Sequence, residues 1–129
     1  MNYLSGTQHL TNHLTGFAGT ETRGHLDHVS RLSAFSPVEV IARGMLAMFE
    51  YDATAVLPAI NVPVLIMAGA EDILTKPEAS RYVQKQIPNA QLVTLQPSGH
   101  MGALERGNEM AEAVDGFGKR IAQKPVFSR

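Results

Sequence analysis

The spacing of hydrophobic positions changes several times along the chain, and it becomes readable only after residue 35. From Met1 to Arg31 the sequence is dominated by Thr, Gly, Asn and His, with apolar residues too scattered to set a period. Weak helical character at most is expected there, with a loop over the Gly19 to His25 run. At Ser36-Pro37-Val38-Glu39 the pattern sharpens. A capping serine, a proline at the first helical position and a glutamate three residues after the serine predict a helix start. Val38, Ile41, Met45, Met48 and Phe49 then fall on one helical stripe as far as a break near Asp52. Gly44 weakens the middle of this helix by about 1 kcal/mol relative to alanine.

Val64 to Ala68 is a continuous apolar run between Pro63 and Gly69. Its length and lack of alternation predict a strand buried on both faces, as in a parallel sheet. Thr75-Lys76-Pro77-Glu78 repeats the capping signature and opens a helix to about Gln86, with Ala79, Tyr82 and Val83 turned inward, ending before Pro88. A second strand is expected over Gln91 to Leu95, followed by a loop punctuated by Pro97 and Gly99. From Asn108, a plausible N-cap, Met110, Val114, Phe117 and Ile121 mark a final helix, softened by Gly116 and Gly118. Helix, strand, helix, strand, helix is the alternation of an α/β fold with a parallel sheet and right-handed crossovers. Two such strands alone are not expected to be stable in water, so further strands must come from elsewhere.

Composition narrows the function. Of 129 residues, 44% are hydrophobic and 18% charged, which suits a packed globular domain. Eleven Lys and Arg against twelve Asp and Glu give a net charge of -1, with no basic footprint for nucleic acid and no polybasic membrane patch. Without cysteine there is no disulfide framework, thiolate nucleophile or Cys-ligated zinc, in keeping with a cytoplasmic setting. The first charged residue is Glu21, so no cationic region precedes an apolar one as in a signal peptide, and no run approaches the roughly 18 apolar residues of a spanning helix.

Functional groups in open α/β sheets gather beyond the carboxyl ends of the strands. Asp72 stands just past the first predicted strand and His100 just past the second, 28 positions later. One crossover separates them and returns the chain to the same end of the sheet. A carboxylate that accepts the Nδ1 proton of an imidazole fixes its tautomer and leaves Nε2 free to take a proton. Glu71 competes with Asp72 for the acid role, less favourably on spacing. Ser98 lies too close to His100 along the chain to reach the imidazole productively. His9 with His13, and His25 with His28 near Asp27, have spacings compatible with metal ligands on a helix. Exposed polar residues are the better reading of these pairs, because no extended ligand motif accompanies them. Met45, Met48 and Phe49 could line an apolar pocket or simply pack as core. Glu105 is expected to hold the histidine loop or cap the last helix.

Through the stretch from Ile60 to Asp72, the helix after Thr75, the stretch from Ile87 to Leu95, and Ser98 to Glu105 leading into the last helix, the chain resembles the C-terminal portion of α/β-hydrolase fold enzymes. The resemblance covers Leu57 to about Ile121. It implies a catalytic acid at Asp72 and a catalytic histidine at His100, in the family order of nucleophile, acid, histidine. Residues 57–129 would form the C-terminal hydrolase portion, and residues 1–56 a helical, cap-like segment. The implied chemistry is hydrolysis of a small, fairly apolar ester or related compound, with no cofactor and no metal. The sequence departs from the family at the nucleophile: none of the serines at 5, 30, 33, 36, 80, 98 and 128 has glycine two residues before and two after. The oxyanion-hole loop and the first strands of the sheet are missing as well. The expectation is a part of a hydrolase, close to inert alone, which pairs with itself or with a chain supplying the rest of the sheet. The alternative is a non-catalytic truncated product that acts as a binding or assembly module.

Overall fold

The structure, a computed structural model, describes residues 6–123. The amino-terminal stretch, whose residue pattern allows weak helical character at most, forms two helices, α1 (Thr7–Gly16) and α2 (Arg23–Phe35). Polar side chains join them. Asn12 Nδ2 donates to Ser30 Oγ at 3.0 Å and His9 Nε2 lies 2.7 Å from Asp27 Oδ1, while His13 pairs with Glu21 of the connecting turn. The expected loop over Gly19 to His25 ends at Thr22, which caps α2: its hydroxyl accepts from the His25 amide, and the His25 ring accepts from the Thr22 amide. Periodicity misses such a pair of helices because few of the residues that join them are apolar.

The next helix, α3 (Val38–Glu50), begins where expected but without the expected cap. Ser36 terminates α2 instead, with its amide donating to Ser33 O and its hydroxyl to Leu32 O, and the Pro37 carbonyl accepts the first amides of α3. The two helices meet at 96°. No residue of α3 is buried; Val38 is 80% exposed and Phe49 84%. Its apolar stripe is left largely exposed.

A 3₁₀ turn (Thr54–Ala59) leads into β1 (Val64–Gly69), α4 (Pro77–Gln86), β2 (Ala90–Leu95), a single-turn helix α5 (Gly102–Glu105) and the long α6 (Gly107–Gln123). The strands are parallel, in register from Val64 opposite Ala90 to Gly69 opposite Leu95. Helices α4 and α6 both pack on them. Burial of β1 on both faces is not reached: Ala68 and Gly69 are buried, while Val64 to Met67 stay half-covered. For the same reason Ala79, Tyr82 and Val114, expected inward, are exposed, whereas Val83, Met110, Phe117 and Ile121 are half-buried. A two-stranded sheet has too little surface to cover both helices. The last helix starts at Gly107, one residue before the expected Asn108 cap, and α4 starts after Lys76, not from a Thr75 cap. Among the described residues no single helix is long and apolar enough to cross a membrane.

Candidate active site

The carboxyl ends of β1 and β2 are pressed together by backbone contacts. Beyond Gly69, the Ala70 amide donates to Leu95 O at 2.9 Å and the Glu71 amide to Ser98 O at 3.0 Å. A Cβ on Gly69 would lie 2.2 Å from Gly99 O and 2.5 Å from Ser98 O, closer than any real side chain permits. Glycine at this position therefore lets the two loops touch, and the touch brings Asp72 to His100.

Asp72 is 7% exposed and its carboxylate is fully engaged. Oδ1 accepts the amides of Leu74 (2.8 Å) and Thr75 (2.9 Å), an Asx-type closure of the loop. Oδ2 accepts the Thr75 hydroxyl at 2.7 Å and faces His100 Nδ1 at 3.0 Å. Burial pushes the carboxyl upward, but the hydroxyl and amide of Thr75, then His100 and the Leu74 amide, outweigh it and hold Asp72 below its ordinary 3.8. An ionised Asp72 accepts Nδ1–H from the imidazole and leaves the Nε2 lone pair available for a proton. The His100 side chain is 36% exposed, so that lone pair can be approached. The pair opens on a cleft of about 230 Å³, also lined by Thr75, Met67, Leu95 and Met110.

The remaining candidates fall elsewhere. Glu71 Oε2 accepts the Ser98 amide at 2.8 Å, which ties it to the backbone of the histidine loop and not to the imidazole. Ser98 is fully buried, with its hydroxyl 3.4 Å from Gly99 O. His9 and His13 engage separate carboxylates, and the His25 ring stacks on Phe17 with centroids 6.4 Å apart. Among the described residues no three His, Asp or Glu side chains gather to hold a metal ion. Met45, Met48 and Phe49 line neither this cleft nor the larger cavity of about 380 Å³ at the amino ends of the strands. That larger cavity has no acid or histidine in its lining, and its Arg120 donates to Gln91. Glu105 does hold the histidine loop, through the Gly99 amide at 2.7 Å. Thr75 is the site residue that sequence reasoning misplaced, because its hydroxyl is drawn to Asp72 instead of to the helix it precedes.

A parallel strand-helix-strand unit with a carboxylate and an imidazole meeting at its carboxyl edge defines a class of α/β protein with its chemistry at the strand ends. Residues 8–107 match the family described as alpha/beta hydrolase fold, and the chain belongs to that family. It is 32% identical over 78 residues to the protein named "Putative carbamate hydrolase RutD" of Stutzerimonas stutzeri, a match covering 60% of this chain and 29% of that one. It is 27% identical over 74 residues to the pimeloyl-(acyl-carrier protein) methyl ester esterase of Neisseria meningitidis, covering 57% of this chain and 24% of the relative. The esterase EaEST from Exiguobacterium antarcticum superposes with a TM-score of 0.80 at 21% identity over 89% of this chain and 43% of its own, a likeness of fold. The matches thus span less than a third of either curated relative and less than half of the solved esterase.

Proposed function

We propose that this chain supplies the acid and the base of an ester-hydrolysing site, with Asp72 as acid and His100 as base, to a nucleophile held outside the described residues. The observation that carries this reading is the 3.0 Å contact between His100 Nδ1 and Asp72 Oδ2, made at the carboxyl edge of the parallel strands with the imidazole open to the cleft. In the forward step His100 Nε2 takes the proton of a serine hydroxyl as its oxygen bonds to the ester carbonyl carbon. The imidazolium, stabilised by ionised Asp72, then returns that proton to the departing alcohol. If the nucleophile is an aspartate, the same nitrogen activates the water that resolves the covalent ester. The methyl ester esterase among the relatives supports an ester as substrate; we take that ester to be small and fairly apolar, and the proton transfers described use only the chain's own side chains and the nucleophile.

The half-covered β1, the exposed faces of α4 and α6, and the bare stripe of α3 are the surfaces we assign to the rest of the enzyme, in a cytoplasmic setting. Removing the nucleophile from a working triad typically costs on the order of 10⁶ in rate, so the chain alone is close to inert.

The test is hydrolysis of a p-nitrophenyl ester by the chain alone and after combination with the nucleophile-bearing amino-terminal half of a related esterase. Turnover should emerge only in the combination and fall by about 10³-fold or more with His100→Ala. Robust turnover by the chain alone that His100→Ala abolishes would defeat the shared-site reading. Combined turnover indifferent to His100→Ala would defeat the base assignment. A combination that assembles with no turnover favours the second reading, an assembly module, for which the exposed stripe of α3 speaks.

A further inference from the structure

Glu105 lies five residues beyond His100, in α5, and its carboxylate ties two other stretches of chain to that helix. Oε1 accepts the Ala18 amide at 2.8 Å and the Thr20 hydroxyl at 2.8 Å, and Oε2 accepts the Gly99 amide at 2.7 Å. On the other side of His100, the Met101 amide donates to Gly16 O at 2.8 Å. Both backbone neighbours of the histidine are therefore fixed through the same turn, which links α1 to α2 more than 80 residues earlier in the chain. Packing closes the remaining slack: a Cβ on Gly99 would lie 2.7 Å from Phe17 C and 2.8 Å from Gly16 O, and Gly16 and Phe17 are buried. Hydrogen bonds to an ionised acceptor are short and about twice as strong as neutral ones, and here one carboxylate receives three of them.

We infer that Glu105 and the Gly16 to Thr20 turn form a clamp that positions His100, so that the amino-terminal helix pair sets the geometry of the base. Resting on the reading of His100 as the base, the clamp gives α1 and α2 a role in the chemistry beyond covering a pocket. Glu105 bonds to Ala18, Thr20 and Gly99, not to Asp72 or the imidazole; it acts through the Gly99 amide and is a positioning residue. The role matters because a misplacement of about 1 Å at a reacting group costs on the order of 10²-fold in rate.

The test is ¹H–¹⁵N NMR of the imidazoles in the full chain, comparing wild type with Glu105→Gln and Thr20→Val. Glutamine keeps the size of the side chain but turns one acceptor into a donor, so the three donors can no longer all be satisfied. Exchange of the His100 Nδ1 proton with water should accelerate by about tenfold in Glu105→Gln and by about two- to threefold in Thr20→Val, with helical circular dichroism unchanged. A His100 signal unaltered in folded Glu105→Gln overturns the clamp. Should that variant fail to fold, the exposed Thr20 hydroxyl decides: wild-type exchange in Thr20→Val overturns the clamp and faster exchange supports it. The readout needs no activity, so the two readings fail separately. Ester turnover that depends on His100 beside an imidazole indifferent to Glu105 removes the clamp alone; a Glu105-dependent imidazole with no turnover in the combined protein removes the hydrolase reading alone.

Discussion

Thr75 and His100 divide one oxygen of Asp72, the threonine hydroxyl at 2.7 Å and the imidazole Nδ1 at 3.0 Å from Oδ2. The hydroxyl also lies 3.3 Å from Nδ1, so the Nδ1 proton faces both oxygens. Thr75 therefore keeps the carboxylate charged and steers it toward the imidazole. Thr75→Val preserves shape and removes the donor. Loss of a hydrogen bond to a charged group should lower stability by about 2 kcal/mol in urea unfolding. The Asp72 carboxyl, followed by side-chain ¹³C NMR, should titrate higher in the variant than in wild type. A variant as stable as wild type would mean that the hydroxyl contributes nothing to the site.

The depressed Asp72 carboxyl fixes the sign of a pH effect. Its value is lower folded than unfolded, so the unfolded chain binds more protons in that window and stability rises with pH. The contribution is complete above the unfolded value near 3.8 and is lost as pH falls through the folded one. Glu21 adds the same sign, since the hydrogen bond from His13 and nearby backbone amides outweigh its burial. Subtracting an Asp72→Asn series from wild type isolates Asp72. The variant should be about 2 kcal/mol less stable at pH 7, where two amides and a hydroxyl lose a charged acceptor, and the gap should close below about pH 4. A gap that stays constant with pH would count against this account of the carboxylate.

What could be read from sequence divides along a physical line. Val64 to Gly69 was legible because an apolar run bounded by proline and glycine encodes a strand locally, Gln91 to Leu95 because it follows a helix that stops before Pro88 and ends in a loop with Pro97 and Gly99, and topology then brings Asp72 and His100 together. Helices α1 and α2 were not, because Asn12 with Ser30 and His9 with Asp27 join them between residues that show no apolar period. The capping motifs at Ser36 and Thr75 marked the right places for the wrong reason. A hydroxyl near a helix start has several acceptors within reach, and Leu32 O and Asp72 won. Glu105 showed no local sign of its reach to Ala18 and Thr20, because those partners exist only once the chain has folded.

Glycine positions separate contact from conformation. Gly69→Ala would drive a methyl group into the carbonyls of Ser98 and Gly99, both backbone and unable to swing aside. Forcing the two loops apart should cost about 3 kcal/mol and lengthen the contact between Asp72 and His100. Gly44→Ala is the opposite case, in the middle of α3 with nothing within 4 Å of the new methyl. It should stabilise the helix by up to about 1 kcal/mol. Chemical denaturation of both variants checks the pair, and a Gly69→Ala protein as stable as wild type would show that the loops are not in the contact described.

The bare stripe of α3 predicts a dissociation of solubility from stability. Phe49 is 84% exposed, Met48 71% and Met45 55%, with no buried residue anywhere in the helix. Contiguous apolar surface of this kind drives association and not folding of the chain that bears it. Replacing Met48 and Phe49 by lysine and glutamate removes apolar area that the described fold leaves mostly exposed, so the unfolding midpoint should correspond to a change within about 0.5 kcal/mol. The same double variant should shift the chain toward monomer in sedimentation velocity at micromolar concentration. If the substitutions instead unfold the protein, α3 is packed in solution, and its stripe belongs to the core of an assembly that the chain needs in order to fold.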